Sequence, residues 1–124
     1  MDFNFNERQK TFCQTIQKFV ECHVRPIAAQ IDQDERFPRE TLEKLAQANL
    51  MGIPVPVQYG GAGLDTLTYI IAIEELSRAC AATGVTVSTH ISLACYPIYT
   101  YGTEEQKEKY LRPLAKGERL GAFA

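Results

Sequence analysis

Between Arg78 and Glu104 the chain carries no formally charged residue, and His90 is the one side chain there that mild acid could charge. A helix without a charged face has no surface of its own to offer water, so protein or lipid must cover it on most sides. Lipid is a poor cover here. Thr83, Thr86, Ser88, Thr89, His90 and Ser92 are spread along the run, with Gly84 and Pro97. That polarity suits a helix buried in protein and argues against a membrane span. The run predicts a helix from about Val85 to Tyr99, set off from the one before by Gly84 and carrying Pro97 near its end. It also demands that the rest of the chain supply helices to enclose it.

The rest of the chain is written that way. Phe12, Cys13, Ile16, Phe19, Val20, His23, Val24, Ile27, Ala28 and Ile31 recur at three- and four-residue steps, which makes one apolar stripe along a long first helix. Asn6 stands where its N-cap belongs. Pro26 interrupts the pattern, yet the stripe keeps its phase, so a kink near Arg25 is expected and not a turn. Phe37-Pro38-Arg39-Glu40 opens a second helix with buried Leu42, Leu45 and Ala46, and Asn49 can take a left-handed end. Met51 to Asp65 holds Pro54, Pro56, Gly60, Gly61 and Gly63, which excludes a regular helix. Ile53, Val55, Val57, Tyr59 and Leu64 are too apolar for a flexible linker, so this is a packed loop.

A third helix runs from Asp65 or Thr66 to about Ala82. Tyr69, Ile70, Ile73, Leu76, Ser77 and Cys80 face inward, and Glu74, Glu75 and Arg78 face water. Thr103 caps a last helix from Glu104 to about Lys116, with Glu104 and Glu105 in the first turn. Tyr110, Leu111 and Leu114 point inward, Lys107, Glu108 and Lys109 outward; Pro113 shortens the helix and Gly117 ends it. The sum is an all-α fold, an orthogonal or up-down bundle of about five to six helices with short connections. Leu120-Gly121-Ala122-Phe123-Ala124 then starts an apolar extended run, and a buried strand needs a partner and a following turn. Residues 1–119 are therefore expected to form a helical domain. Residues 120–124 are expected to be the first residues of a β domain in a longer protein.

Composition narrows the functional classes. A chain of 124 residues is one domain by length and can bury roughly two thirds of its unfolded surface. A net charge of −2 gives no reason to expect nucleic acid or an anionic membrane as partner. The cysteines at 13, 22, 80 and 95 have no zinc or redox spacing and lie inside apolar helical patterns. They read as small buried hydrophobes in a reducing compartment. Met1-Asp2-Phe3-Asn4 has neither the basic start nor the apolar run of a signal peptide.

Catalytic constellations are absent from the pattern. Tyr59-Gly60-Gly61-Ala62-Gly63 lacks the Lys-Ser/Thr ending of a phosphate loop and follows no βα unit. His90 has no second ligand candidate nearby and does not make a metal site. Glu74 and Glu75 read as solvated. What remains is one face of the uncharged helix, where Thr86, Thr89 and Leu93 stand at helical spacing. Threonine can return its hydroxyl to the i−4 carbonyl, so burial alone accounts for these residues as a tightly packed helix. The other reading is a partly polar wall of a cavity for a slender apolar ligand.

Two stretches carry a resemblance. GIPVPVQYGGAGLD (Gly52 to Asp65) resembles the YGG-containing loop of acyl-CoA dehydrogenases. PIYTYGTEEQKEKYLRPLAKGE (Pro97 to Glu118) is similar to the helix that follows their YG-T/S-xx-QK start. Phe37-Pro38, YGG-x-GLD, a GV…S helix and P-I…YGTEEQK…YL-P-L come in the family's order across nearly the whole chain. Met1 to Phe12 and the SLACYPI run look most like the short-chain, butyryl-CoA type.

The resemblance implies the N-terminal helical domain of a three-domain flavoprotein, usually a tetramer, that converts an acyl-CoA to its trans-2-enoyl-CoA. FAD takes the β-hydride, a glutamate from the C-terminal bundle takes the α-proton, and an electron-transferring flavoprotein reoxidises the flavin. By matching position, Thr86, Thr89 and Leu93 look like the residues lining the tail end of the acyl pocket. Phe123 looks like the first residue of the flavin-contacting strand. No catalytic residue and no metal ligand is carried over to this chain. A bacterial cytoplasmic or a mitochondrial matrix location is implied. Two alternatives stand beside it: a related acyl-CoA oxidase-type flavoenzyme, and a non-enzymatic helical binding or assembly module descended from such a domain.

Overall fold

The computed structural model describes residues 4–124, and Met1–Phe3, the start of the Met1 to Phe12 resemblance, lie outside the described residues. Five helices carry the described residues. Helix α1, residues 7–33, is α-helical over Glu7–Phe19, opens into a π turn at Val20–Val24 and is α-helical again over Arg25–Gln33. Helix α2 is Arg39–Gln47 and α3 is Thr66–Ala79. Helix α4, residues 81–101, has the same three-part form: Ala81–Thr89, a π turn at His90–Cys95, then Tyr96–Tyr101. So does α5, residues 104–115, with Glu104–Gln106, Lys107–Leu111 and Arg112–Ala115.

The three π turns share a cause. Each is followed after one residue by a proline: Pro26, Pro97 and Pro113. Proline has no N–H for the ladder, and its ring needs the space of the i−4 carbonyl. Widening the turn just before it removes that obstruction and lets the helix continue. The unbroken phase of the α1 stripe had this consequence; the expected kink is a π turn.

Helix ends follow local chemistry. Asn6 Oδ1 accepts the Gln9 amide at 2.9 Å while Gln9 Oε1 accepts the Asn6 amide at 3.0 Å. Thr103 and Gln106 repeat the exchange at α5, at 3.2 and 2.9 Å. Asp65 Oδ1 accepts the Thr68 amide at 2.7 Å to start α3. Asn49 ends α2 at φ 57° and Gly117 ends α5 at φ 73°, both left-handed as expected. Glu35 turns α1 off at φ 52° without a sequence signal that marked it.

Helix α4 joins two core clusters. Val87 and Ile91 pack with Ile16, Val20, Val24, Leu45, Ile53, Ala72 and Leu76. Ala94 and Cys95 pack with Val55, Tyr59, Leu111, Leu114 and Ala115. The loop of residues 50–65 is folded on itself: the Ala62 amide donates to Gly52 O at 3.0 Å, Gly63 to Val55 O at 2.9 Å and Leu64 to Ile53 O at 2.9 Å. That pairing gives a Pro- and Gly-rich stretch partners for its backbone without regular secondary structure.

Several expectations need correction. Helix α3 stops at Ala79, and the separator is Cys80, extended at φ −152°. Gly84 lies inside α4 and presses on Ser77 of α3. Glu75 is not solvated: it is 8% exposed and accepts the Gln17 Nε2 amide at 3.1 Å from α1. Ile71 and Ala72 face inward where Ile70 was expected, and Ile70 is exposed. Tyr110 points outward, and Cys22 is exposed. Lys107, expected outside, lies over the Tyr59 and Tyr99 rings at 5.7 and 5.6 Å. Residues 120–124 are neither helix nor strand in this chain, which leaves the expectation of a following β domain as it stands. Among the described residues no helix is long and apolar enough to cross a membrane.

Candidate functional site

The two core clusters enclose α4 on two sides and leave a third side open. Thr86 and Thr89 are half-buried there, and Leu93 is 46% exposed. Val85 and Tyr96 extend the open side at either end, both more than half exposed. Thr86 Oγ1 donates to Ala82 O at 2.7 Å. Thr89 Oγ1 reaches Val85 O at 2.9 Å and Thr86 O at 3.1 Å, and Ser92 Oγ donates to Ser88 O at 2.7 Å. Every one of these hydroxyl protons is spent inside the helix. Between Thr86 and Leu93 the face therefore carries no charge, and its threonine and serine hydroxyls are no longer free to donate, although its sequence is polar. Sequence spacing put Thr86, Thr89 and Leu93 on one side, and the structure leaves that side open.

A neighbouring side of α4 borders a cleft of about 430 Å³. Tyr96, Tyr99 and Cys95 of α4 form one wall, and Val55, Leu64 and Tyr69 another. Thr86, Thr89 and Leu93 do not line it. Sequence reasoning missed this cleft because its walls come from three separated segments; the exposed Tyr96 and Tyr99 were the available hint.

Below the open face lies His90, 0% exposed. Its Nε2 stands 3.1 Å from the Leu114 carbonyl oxygen, and its Nδ1 accepts the Gly121 amide at 2.9 Å. The Gly121 amide and the Leu114 carbonyl favour the neutral tautomer with the proton on Nε2, and the Met51 backbone also bonds the ring. Burial pulls the imidazole pKa down from the ordinary 6.5, and it pushes the adjacent Cys95 thiol up to about 12. The unfolded chain then binds a proton where the folded one does not. Stability is complete above about pH 6.5 and is lost as pH falls from there toward the lowered folded value. Thermal unfolding of the wild type is expected to weaken below pH 6.5 relative to His90→Asn. A gap between the two that stays constant with pH would contradict this.

The loop is pinned to α5 by a second polar group. Tyr59 O–H donates to Glu104 Oε2 at 2.6 Å, and Lys107 Nζ donates to Glu104 Oε1 at 3.0 Å. The bond from Tyr59, then that from Lys107, holds the Glu104 carboxyl below its usual range; the same bond raises Tyr59. The glycines serve backbone contact here, since a Cβ on Gly52 would lie 2.8 Å from Ala115 O. Among the described residues no group of three or more His, Cys, Asp and Glu side chains could hold a metal ion.

Five helices, a glycine loop locked on the last of them and an open uncharged face on the fourth define a known domain class. The family model for the acyl-CoA dehydrogenase N-terminal domain matches residues 6–118. The chain belongs to the acyl-CoA dehydrogenase family, an oxidoreductase family, through this helical domain. It is 54% identical over 123 residues to the short-chain specific acyl-CoA dehydrogenase of Clostridium acetobutylicum, covering 99% of this chain and 32% of that protein. It superposes on butyryl-CoA dehydrogenase from Megasphaera elsdenii with a TM-score of 0.89 at 36% identity, over 97% of this chain and 32% of that one. An acyl-CoA dehydrogenase from Bacillus anthracis, solved with FAD, gives 0.85 at 34% identity, over 94% of this chain and 20% of that one. The chain thus spans about a third of the length of the curated relative it matches.

A flavin presents a broad planar ring system. Phe123, 77% exposed two residues beyond the tethered Gly121, offers it one aromatic face. Its exposed ring is compatible with one edge of such a group.

Proposed function

We propose that this chain, over residues 1–119, is the N-terminal domain of an FAD-dependent acyl-CoA dehydrogenase acting on short acyl chains, with residues 120–124 leading into the next domain. The open face of α4 carries this reading: Thr86, Thr89 and Leu93 line the tail end of the acyl pocket. An uncharged stretch whose threonine hydroxyls already bond inside the helix loses little when an apolar tail displaces water from it. Leu93 sets its depth.

FAD, when bound, supplies the hydride acceptor for the β-carbon; Phe123 would contact it. The work of this domain is positional. It excludes water from the tail and fixes how far the acyl group can enter, and so where the thioester comes to rest. The base that takes the α-proton is to be sought outside residues 1–124. An electron-transferring flavoprotein as acceptor, a tetrameric assembly and a cytoplasmic or mitochondrial matrix location complete the proposal, all on the family resemblance.

Variants of the full-length protein test the face. Thr89→Phe fills the tail end, and kcat/KM for butanoyl-CoA is expected to fall at least about tenfold with flavin content unchanged, a loss of about 1.4 kcal/mol. Leu93→Ala deepens the slot and should shift preference toward hexanoyl-CoA about fourfold, the worth of a buried methylene. Steady-state kinetics with both substrates check this. Unchanged chain-length profiles in both variants would remove α4 from the pocket.

A further inference from the structure

We infer that His90 is a positioning residue: it holds the Gly121 amide and thereby sets the path of residues 120–124, which carry Phe123. The inference rests on the flavoenzyme reading for its consequence and on geometry for the tether. The imidazole is fully buried between helices, and each ring nitrogen has a different task. Nε2 faces the Leu114 carbonyl at the end of α5 at 3.1 Å, with Cys95 Sγ at 3.6 Å. Nδ1 accepts the Gly121 amide at 2.9 Å.

The approach is close. A Cβ on Gly121 would collide with Ala94 Cβ and stand 3.2 Å from Leu114 Cδ2. Residue 121 is thus pressed on α4 and hydrogen-bonded to it, after the left-handed turn at Gly117 brings the chain back from α5. Two residues later Phe123 projects from this stem. Core packing alone would be served by any apolar side chain at 90. The ring nitrogen turned toward Gly121 serves the segment.

Two substitutions separate the tasks. The side-chain oxygen of His90→Asn falls near Nδ1 and can accept the Gly121 amide, while its short amide cannot reach Leu114. The amide nitrogen of His90→Gln falls near Nε2 and can donate to Leu114 O, leaving Gly121 without an acceptor. Each loses the ring and one hydrogen bond, so general loosening acts on both alike.

In the full-length protein, FAD binding to the stripped apoprotein is followed by flavin fluorescence, and exchange of the Gly121 amide by NMR or mass spectrometry. His90→Gln is expected to raise the FAD Kd about tenfold and the Gly121 exchange rate by at least as much, the loss of about one buried hydrogen bond. His90→Asn is expected to stay within about threefold of wild type in both. Equal exchange in the two variants, or wild-type Gly121 exchanging as fast as Ala122, overturns the tether. Slower exchange in Asn than in Gln with equal FAD affinities overturns the link to the flavin. A wild-type protein that binds no FAD fails the flavoenzyme reading, and the exchange comparison then decides the tether on its own.

Discussion

Gly61→Ala is expected to cost this chain about 3 kcal/mol or more, enough to prevent folding of a marginal domain. The new Cβ would run into the Val55 carbonyl oxygen and lie 2.5 Å from Val55 Cβ and 2.6 Å from the Gly52 carbonyl oxygen. Two of those three obstacles are backbone, so no rotamer change relieves them. They also belong to the pairing that folds the loop, because Gly52 O accepts Ala62 and Val55 O accepts Gly63. Pushing either carbonyl away breaks a bond and unseats Gly52 from Ala115 of α5. Chemical denaturation with a fluorescence or circular-dichroism readout measures the loss. A Gly61→Ala protein within about 1 kcal/mol of wild type would mean that the loop can shift as a unit, contrary to its packing.

Gly84→Ala should also destabilise, with a sign opposite to helix propensity. Alanine inside a helix is worth about 1 kcal/mol more than glycine, and Gly84 lies within α4, so propensity alone predicts a gain. The structure predicts a net loss of about 2 kcal/mol, since overpacking outweighs propensity. A Cβ at 84 would collide with Ser77 Oγ and lie 2.9 Å from both Ser77 Cα and Cβ. Helices α3 and α4 touch there with no room for a methyl group. Ser77→Ala removes the hydroxyl but leaves the tight carbon contact, so the double variant should recover part of the loss, a coupling of about 1 kcal/mol. Additive single and double variants would show that Ser77 is not the obstacle, and a stabilised Gly84→Ala would deny the close helix contact.

That reversal explains which parts of this fold sequence reasoning could read. Asn6 and Thr103 as caps, and Asn49 and Gly117 as left-handed ends, depend on neighbours within a few residues, and they stand as expected. The α1 stripe was legible for the same reason, and it carried through Pro26. Gly84 was not, because a glycine that breaks a helix and a glycine that lets two helices touch look alike in one dimension. Glu75 was misread because its partner, Gln17, lies 58 residues away on another helix.

The site divides along the same line. Thr86, Thr89 and Leu93 could be placed on one side by spacing alone, and the return of the threonine hydroxyls to α4 was foreseeable. The tasks of His90 were not, since Leu114 and Gly121 reach it only after α5 has packed and the chain has turned at Gly117. The 430 Å³ cleft needs three segments to close around it, and no motif announces it.

A crystal structure of the full-length protein with butanoyl-CoA bound would test the central claim most directly. The account predicts terminal acyl carbons within about 4.5 Å of at least two of Thr86, Thr89 and Leu93, the range of apolar contact. An acyl chain lying elsewhere, with those three side chains covered by protein, would contradict it.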